Sequence, residues 1–410
     1  MANKANPLPR DLLLSVFERA LAAVNGRTRV RAVLDAMPHE GSWQLLAIGK
    51  AASAMTLGAI DSLGDQVERA LVISKDEHFD AALLSRPMVQ SFAAAHPIPD
   101  ERSLEAGAQL QQFLRTAPRE HALLFLISGG ASSLVEVLPE GVSLKDLSRL
   151  NQWALASGLD IAATNAIRRR LSLLKNGGLL TEMSGRAAHA LFISDVPGDD
   201  PALIGSGLLS EPRADPLPPN LPTWITTLLS QSPPGTQALA RVSRRVIATL
   251  DDAMDAACRV GESLGVKVRR AHRRFAGDAL ELATRFCHEL ATGDPRLHVW
   301  GGESTVRLPR KPGRGGRNQH LALAAARLLV VYDDLALLAA GTDGTDGPTG
   351  DAGAIVDSET VERGTLAGLD ADVCLARADS ATFLEASGDL LHTGPTGTNV
   401  GDLVLGLKRV

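Results

Sequence analysis

The fold of this chain is indicated first by the stretch Leu335-Ala336-Leu337-Leu338-Ala339-Ala340-Gly341-Thr342-Asp343-Gly344-Thr345-Asp346-Gly347. Its first half is apolar without alternation, which is typical of a strand buried on both faces of a sheet. Its second half combines glycines, which let the backbone approach a ligand, with aspartates, which bind Mg²⁺ or act as bases. An ordinary solvated turn is the alternative interpretation of that half. The stretch predicts an α/β protein with a ligand site at the end of a buried strand.

Apolar runs of the same kind recur in the first half of the chain. They lie at Leu45–Ile48, Ala70–Ile73, Ala122–Ile127 and Ala190–Ile193, and each is followed by Gly or Ser. Most of them lead soon into sequence compatible with a helix. Alternating strands and helices of this kind predict a doubly wound, Rossmann-like parallel sheet.

A proline-rich stretch, residues 211–235, interrupts this alternation. Such a density of proline continues neither a helix nor a central strand. We therefore expect a domain boundary there, with an N-terminal Rossmann-like α/β domain over residues 1–235 and a second α/β domain over residues 236–410. In the second domain the pattern predicts strands at 245–250, 266–270, 297–300 and 335–340, and helices at 251–264, 278–292 and 316–331.

Composition restricts the class of protein. The 42 Lys and Arg residues nearly balance the 47 Asp and Glu residues, which disfavours a nucleic-acid binder. The three cysteines lack metal-type spacing, and their sparse, odd number suits a reducing compartment. The N-terminus does not resemble a signal peptide, and the apolar region 321–340 is interrupted by charges. These features predict a cytoplasmic protein that does not enter the membrane.

Two loops after predicted strands are suited to anions. The first is Gly49-Lys50-Ala51, where a lysine opens a helix; Gln44 stands where a Walker A loop requires glycine. The second is Ser128-Gly129-Gly130-Ala131-Ser132-Ser133, whose free amides can form an anion-binding nest. A surface lysine and a tightly packed glycine pair are the alternative interpretations.

Further charged residues follow in the first half. Arg168, Arg170 and Lys175 lie in a basic segment whose helical spacing places Arg168 near Ser172, with Lys175 one turn further. They could hold a phosphate or a carboxylate, or form a solvated helix face. Asp195 follows a predicted strand, where it could act as a base, bind a metal or cap a helix.

The second half adds a comparable set. Gly313-Arg314-Gly315-Gly316-Arg317-Asn318-Gln319-His320 opens a long helix, so that Arg317 and the unpaired N–H groups of the first turn could hold a phosphoryl group together. Trp300–Val306 follows a strand with two glycines, and Gly394–Asp402 precedes the last strand. Cations for phosphates and carboxylates for Mg²⁺ are what phosphoryl transfer requires.

Taken in order, these segments resemble the glycerate 2-kinase family with a MOFRL C-terminal domain, over about residues 12–405. The most specific matches are Ile48-Gly49-Lys50-Ala51, Gly315-Gly316-Arg317-Asn318-Gln319, the Gly341–Gly347 loop and Gly394-Pro395-Thr396-Gly397-Thr398-Asn399-Val400. The resemblance implies an enzyme that phosphorylates the 2-hydroxyl of D-glycerate with ATP and Mg²⁺, in a cleft between two α/β domains. A homodimer is compatible with this assignment.

The resemblance also implies roles for individual residues. Lys50 and Arg317 match the proposed catalytic cations, and Asp195 is our candidate base. The candidate metal ligands are Asp343, Asp346 and Asp351. The candidate contacts to substrate or phosphate are Ser128, Gly129, Gly130, Ser132, Arg168, Arg170, Lys175, Gly316, Asn318, Gln319, Thr398 and Asn399.

The chain departs from the family pattern at several positions. Arg170 replaces a common histidine, His320 replaces a common glutamate, and both Asn176–Leu180 and Pro348–Asp351 differ from the usual form. These departures bear on the substrate, so a kinase of a related small hydroxy acid is one alternative.

Two other functions were open on sequence grounds. Some members of the family are labelled hydroxypyruvate reductase, which would use NAD(P)H. No strand is followed by G-x-G-x-x-G with an acidic residue ~20 positions on, as a dinucleotide site of that type requires. A non-enzymatic acid-binding protein would explain a cleft but not Lys50 and Arg317 beside an acidic loop.

Overall fold

The computed structural model describes residues 9–157, 159, 161–183, 185–213, 216–231 and 240–409. These residues form two compact units, one of residues 26–247 and one that joins residues 9–25 to residues 248–409. The division lies later than the boundary expected at residues 211–235, because residues 242–248 still add a strand to the first sheet. The N-terminal helix α1 (Pro9–Ala23) also differs from the expectation, since it packs in the second unit against the helix Leu250–Ser263.

The unit of residues 26–247 is built on one sheet. Its strands are β1 (Trp43–Ile48), β2 (Val67–Ser74), β3 (Val89–Ala93), β4 (Ala122–Ile127), β5 (Ala188–Ile193) and β6 (Val242–Ala248). Their order is β3-β2-β1-β4-β5-β6, and β1 pairs in parallel with both β2 and β4. The four apolar runs therefore form strands as predicted, and β3 is an additional one. The chain order reverses between β1 and β4, which is where such sheets bind ligands, at the carboxyl ends of the strands.

The same unit also contains helices. They are α2 (Gly26–Leu34), α3 (Ala52–Leu63), α4 (Ala81–Leu84), α5 (Glu101–Thr116), α6 (Ala131–Leu134), α7 (Leu144–Ala156), α8 (Ile161–Arg170), α9 (Gly178–Glu182) and α10 (Thr223–Leu229). All residues of β1 are buried, which agrees with its non-alternating apolar sequence. Residues 223–229 of the proline-rich stretch form α10, which begins directly after Pro222, where the missing N–H costs no helical hydrogen bond.

The second unit contains a mixed sheet. Its strands are β7 (Val268–Arg270), β8 (Phe275–Asp278), β9 (Leu297–Thr305), β10 (Leu335–Gly341), β11 (Gly353–Asp357), β12 (Leu390–Leu391) and β13 (Asp402–Lys408). They follow the order β12-β11-β10-β13-β9-β7, with β8 also paired to β9. β10 is antiparallel to β11 and β13, whereas β7 and β8 are parallel to β9. The predicted α/β architecture is confirmed, with a mixed sheet in this half.

The second unit also contains seven described helices. After α1 they are α11 (Leu250–Ser263), α12 (Ala279–Thr292), α13 (Arg317–Leu329), α14 (Thr360–Leu366), α15 (Ala371–Ala376) and α16 (Ser380–Ser387). Of these, α14 and α15 pack on other helices. All residues of β10 are buried, so the apolar run Leu335–Ala340 forms a central strand of the sheet, as its sequence predicted. Among the described residues, no helix is both long enough and apolar enough to cross a membrane.

One predicted loop is part of a strand. Gly301 and Gly302 lie inside β9, which continues to Thr305. A Cβ atom at Gly302 would lie only 2.1 Å from the carbonyl oxygen of Phe275 in β8. These glycines therefore allow close packing of neighbouring backbones, and they do not form a ligand loop.

Candidate active site

The first candidate site residues lie where the order of the first sheet reverses. Ile48 of β1 pairs with Ile127 of β4, so the loops that follow the two strands are neighbours. Lys50 lies in one loop and Ser128 to Gly130 in the other. The Cβ position of Gly130 would lie 3.4 Å from Cγ of Lys50, which places the lysine stem directly beside the glycine pair.

The backbone amides of these loops fall into two groups. The N–H of Lys50 donates to the carbonyl of Gly129 at 3.0 Å, and the N–H of Ala51 donates to the hydroxyl of Ser128 at 3.0 Å. The N–H groups of Lys50 and Ala51 are therefore not available to an anion. The N–H groups of Gly129 and Gly130 have no hydrogen-bond partner among the described residues. They form the open part of the predicted nest, beside the half-buried Ser132.

Asp195 lies on the same edge of the first sheet. It follows β5, which pairs in parallel with β4, and its side chain is half-buried next to the buried Ser194. The carboxyl ends of β1, β4 and β5 thus present a lysine, two open amides and a carboxylate on neighbouring strands.

The basic segment has a different structure from the predicted helix face. Helix α8 ends at Arg170, because the hydroxyl of Ser172 accepts hydrogen bonds from the N–H groups of Leu174 and Lys175. Lys175 is buried, and its ammonium lies 2.5 Å from Oε2 of Glu136. Lys175 is thus half of a buried ion pair, and its predicted contact with phosphate or substrate stays a prediction.

The neighbouring arginines are more open. Arg170 is exposed and Arg168 is half-buried. Burial lowers the pKa of the Arg168 guanidinium, and the carboxylate of Glu136 opposes that effect. Arg168 has no hydrogen-bond or ion-pair partner in the described part of the chain. A half-buried cation without a partner is suited to an anionic ligand.

In the second unit, the acidic loop after β10 is fastened to the loop before β13. The hydroxyl of Thr342 donates to the carbonyl of Gly401 at 2.7 Å and accepts from the N–H of Val400 at 2.9 Å. The hydroxyl of Thr396 donates to the carbonyl of Thr342 at 2.5 Å. Two segments predicted separately as site loops therefore form one structure. Within it Thr398 and Asn399 are buried, and the Thr398 hydroxyl lacks a partner among the described residues.

Asp346 closes the N-terminus of α13. Its carboxylate accepts hydrogen bonds from the N–H groups of Asn318 at 3.1 Å and Gln319 at 2.7 Å. Burial raises the pKa of Asp346 to about 7, although these N–H groups favour the charged form. The amides that were predicted to hold a phosphate are thus already occupied by a carboxylate of the chain itself.

Gly316 makes this arrangement possible. It is the residue that precedes the first turn of α13, and a Cβ there would lie 2.3 Å from the carboxyl carbon of Asp346. Gly316 and Gln319 also form a local cap through the N–H of Gly316 and the amide oxygen of Gln319. Gly316, Asn318 and Gln319, which are predicted phosphate contacts, thus also shape the helix start.

Arg317 is the charged centre of this region. Its Nε and Nη2 donate to the two carboxylate oxygens of Asp402, at 2.7 and 3.0 Å, and its Nη1 donates to Glu303. Although burial by itself lowers the pKa of Arg317, the carboxylates of Asp402 and Glu303 raise it well above its usual range. Burial raises the pKa of Asp402, and Arg317 opposes that effect. Arg317 is thus a permanent cation with a fixed orientation.

The three aspartates predicted as metal ligands have separate roles. Asp346 caps α13, Asp343 accepts a hydrogen bond from the N–H of Thr345 at 3.0 Å, and Asp351 lies 3.5 Å from Nδ1 of His392. In the described ranges, no group of three His, Cys, Asp or Glu side chains is arranged to hold a metal ion. The three aspartates stay candidate metal ligands, with Asp346 directed at the backbone N–H groups of Asn318 and Gln319.

Sequence reasoning missed Asp402, Glu303 and Glu136. The first two stood in segments that were recognised as unusual, but nothing local showed that they converge on Arg317. Nothing in the sequence pointed to a role for Glu136, since an isolated glutamate after a glycine-rich loop is common. The available signal was the arginine in the first turn of a helix. It places a cation beside unpaired N–H groups, and such a cluster of positive charge needs carboxylate partners.

Comparisons with known proteins identify the family of this chain. A family model described as a domain of unknown function (DUF4147) matches residues 12–216, and the MOFRL family model matches residues 296–402. The chain is 34% identical to a D-glycerate 2-kinase from Thermotoga maritima, with 97% of this chain and 98% of that protein covered. The chain belongs to the glycerate 2-kinase family. Lys50 falls in the DUF4147 match, and Arg317 and Asp402 fall in the MOFRL match.

A solved structure and a second relative extend this result. The crystal structure of glycerate kinase from Thermotoga maritima superposes with a TM-score of 0.82 at 30% identity, covering 97% of this chain and 99% of that one. A protein of Agrobacterium vitis that carries the name of a hydroxypyruvate reductase is 33% identical, over 96% of this chain and 93% of its own. Relatives of this chain therefore carry two names, glycerate 2-kinase and hydroxypyruvate reductase.

Proposed function

We propose that this chain is a glycerate 2-kinase. The 2-hydroxyl oxygen of D-glycerate forms a bond to the γ-phosphorus of ATP, the bond from that phosphorus to the β–γ bridging oxygen breaks, and ADP leaves. The hydroxyl proton passes to a carboxylate, for which Asp195 is the candidate. The products are 2-phosphoglycerate and ADP.

The observation that carries this proposal is a lysine beside open backbone amides, at the point where the strand order of the first sheet reverses. Lys50 lies there beside the open amides of Gly129 and Gly130, at the carboxyl ends of β1 and β4. A lysine and free N–H groups can bind the carboxylate of glycerate or stabilise the charge on a transferring phosphoryl group. Arg168 is half-buried and has no direct hydrogen-bond or ion-pair partner among the described residues, so it is the second candidate for the glycerate carboxylate.

We assign Lys50 and Arg317 to the charge that develops on the transferring phosphoryl group. Arg317 keeps its charge at every physiological pH, and Lys50 is half-buried at its loop. Mg²⁺ is bound in many kinases by one or two carboxylates together with the nucleotide phosphates. The separated aspartates fit that manner of binding, with Asp343 as the candidate carboxylate, and they do not fit a preformed metal cage. Bound there, Mg²⁺ would neutralise phosphate charge.

The structure argues against NAD(P)H as the coenzyme. In a dinucleotide-binding fold of this strand order, the pyrophosphate lies on the N-terminus of the helix that follows β1. Here the N–H groups of Lys50 and Ala51 are bonded to the neighbouring loop, and Gly49 is packed so tightly that a Cβ would lie 2.2 Å from the hydroxyl of Ser128. These two amides before α3 are therefore not open to a pyrophosphate.

The proposal is tested by one panel of assays on the purified chain. We expect glycerate-dependent release of ADP from ATP, no oxidation of NADH or NADPH with hydroxypyruvate, and a phosphorus NMR spectrum of 2-phosphoglycerate. Clean 3-phosphoglycerate would overturn the position of transfer but not the kinase. Coenzyme oxidation without ADP release would establish the reductase, and turnover of another hydroxy acid in preference to glycerate would change the substrate.

A further inference from the structure

The two carboxylates on Arg317 differ sharply in their surroundings. The Asp402 side chain is 2% exposed, whereas the Glu303 side chain is 59% exposed. Asp402 is the first residue of β13, where it pairs with Gly341 and Gly302, so strands on both sides fix its backbone. Glu303 projects from the exposed face of β9. The sheet therefore holds Asp402 in place, whereas the Glu303 side chain lies in solvent, where it can exchange with another anion.

The geometry of the guanidinium divides its donors between these partners. Five N–H groups are available, and Asp402 takes one on Nε and one on Nη2. The donors that remain are two on Nη1 and one on Nη2, along the edge that can receive a second bidentate anion. Glu303 occupies Nη1 on that edge. A phosphoryl group that reaches Arg317 therefore meets Glu303 at its own binding position.

We propose that Glu303 is an exchangeable occupant of the phosphoryl-binding edge of Arg317, and that Asp402 is the positioning residue that holds the guanidinium during the exchange. The inference rests on the proposed function in assigning Arg317 to a phosphoryl group. It adds two residues with opposite effects. Glu303 competes with phosphate oxygens, and Asp402 keeps the arginine where those oxygens arrive.

The exposure of each carboxylate sets the expected size of its effect. An exposed ion pair is weak, so loss of the Glu303 charge should tighten the binding of a polyphosphate by about two- to fivefold. Asp402 has no such freedom, and a displaced arginine should lower kcat on the order of 10²-fold. Tighter binding by Glu303→Gln is the result that distinguishes this proposal, because a substitution that merely damages the site would weaken the binding of tripolyphosphate.

The test compares Glu303→Gln, Asp402→Asn and Glu385→Gln in the full chain. Glu385 is the matched control, since it is equally exposed at 58% and pairs at 2.8 Å with Arg314, three residues before Arg317. Calorimetric titration with inorganic tripolyphosphate, without glycerate, measures the phosphate edge directly. Steady-state kinetics with ATP and glycerate then separates KM from kcat, and melting temperatures report folding.

We expect Glu303→Gln to bind tripolyphosphate more tightly and to lower the KM for ATP, Asp402→Asn to lower kcat, and Glu385→Gln to match the wild type. Weaker or unchanged binding in Glu303→Gln would overturn the inference, and so would equal tightening in Glu385→Gln or no measurable tripolyphosphate binding by any form. If Asp402→Asn fails to fold, the result for Glu303→Gln decides. Tighter binding in Glu303→Gln without glycerate-dependent ADP release in the wild type would reject the proposed function and retain the Glu303 exchange.

Discussion

At the scale of single residues, the surroundings of a lysine decide what it can do. Lys50 and Lys175 were both predicted to bind anions. Lys50 is half-buried beside open amides, whereas the Lys175 side chain is 1% exposed and lies 2.5 Å from Glu136. Burial lowers the pKa of Lys175, and Glu136 opposes that effect. We therefore expect the Lys175 ammonium to pair with Glu136 and not to contact a substrate.

Replacement of Lys175 tests this assignment. Lys175→Met leaves the Glu136 carboxylate buried without a partner, so we expect a loss of about 3–5 kcal/mol in the free energy of unfolding. The double variant Glu136→Gln, Lys175→Met removes that charge and should recover part of the loss. Urea unfolding measures both, with the exposed Lys145→Met as control. Normal stability with lost activity in Lys175→Met would instead make Lys175 a ligand contact.

At the scale of elements, the start of α13 is the most constrained point. Helix α13 presents its first N–H groups to the carboxylate of Asp346, and Gly316 lets the two come into contact. The carboxyl group of Asp346 therefore occupies the N–H groups at the start of the helix. Arg317, in the first turn, can contact a ligand through its side chain. This is the physical reason why a glycine-rich approach to the helix does not here create an open phosphate cradle.

A single methyl group should disturb this junction. Gly316→Ala places a Cβ 2.3 Å from the carboxyl carbon of Asp346, so we expect a loss of about 1–3 kcal/mol and a reduced kcat, because Arg317 moves with the helix start. Gly350→Ala, in the same acidic loop, meets nothing within 4 Å and is the control. Thermal unfolding and ADP release are the measurements. Equal melting temperatures for the two variants would show that the junction adapts freely.

At the scale of the whole molecule, the proposed catalytic cations belong to different compact units. Lys50 lies in the unit of residues 26–247, and Arg317 lies in the unit that contains residues 248–409. If both stabilise one phosphoryl group, the loss of either should cost on the order of 10²–10⁴ in kcat. Because they would serve the same transition state, loss of both should cost less than the product of the single losses.

A double-variant cycle makes that prediction measurable. Lys50→Ala, Arg317→Ala and their combination are assayed for glycerate-dependent ADP release, with melting temperatures to check folding and Lys145→Ala as control. Arg317→Lys keeps a positive charge in the site formed by Asp402, and therefore supplies a second variant should Arg317→Ala be unstable. Strictly multiplicative losses would show that the two residues act independently.

The sequence alone determined the local elements and the positions of the two cations. Continuous apolar runs predicted β1, β2, β4, β5 and β10, because burial on both faces leaves a signal in consecutive residues. Turn and helix-start chemistry is equally local, and it predicted that Lys50 lies in a loop after a strand and that Arg317 lies in the first turn of a helix.

Only the tertiary structure decided the partners of those residues. Asp402 is 85 positions from Arg317, Asp346 is 27 from Gln319, and Glu136 is 39 from Lys175. No periodicity connects such positions, because an ion pair between distant segments depends on the order in which strands pair. The pairing of β1 with β4 and of β13 with β9 and β10 brought the loops together. The burial that followed paired Lys175 with Glu136 and the Asp346 carboxyl group with backbone N–H groups, since a charged or polar group removed from water must be paired within the protein.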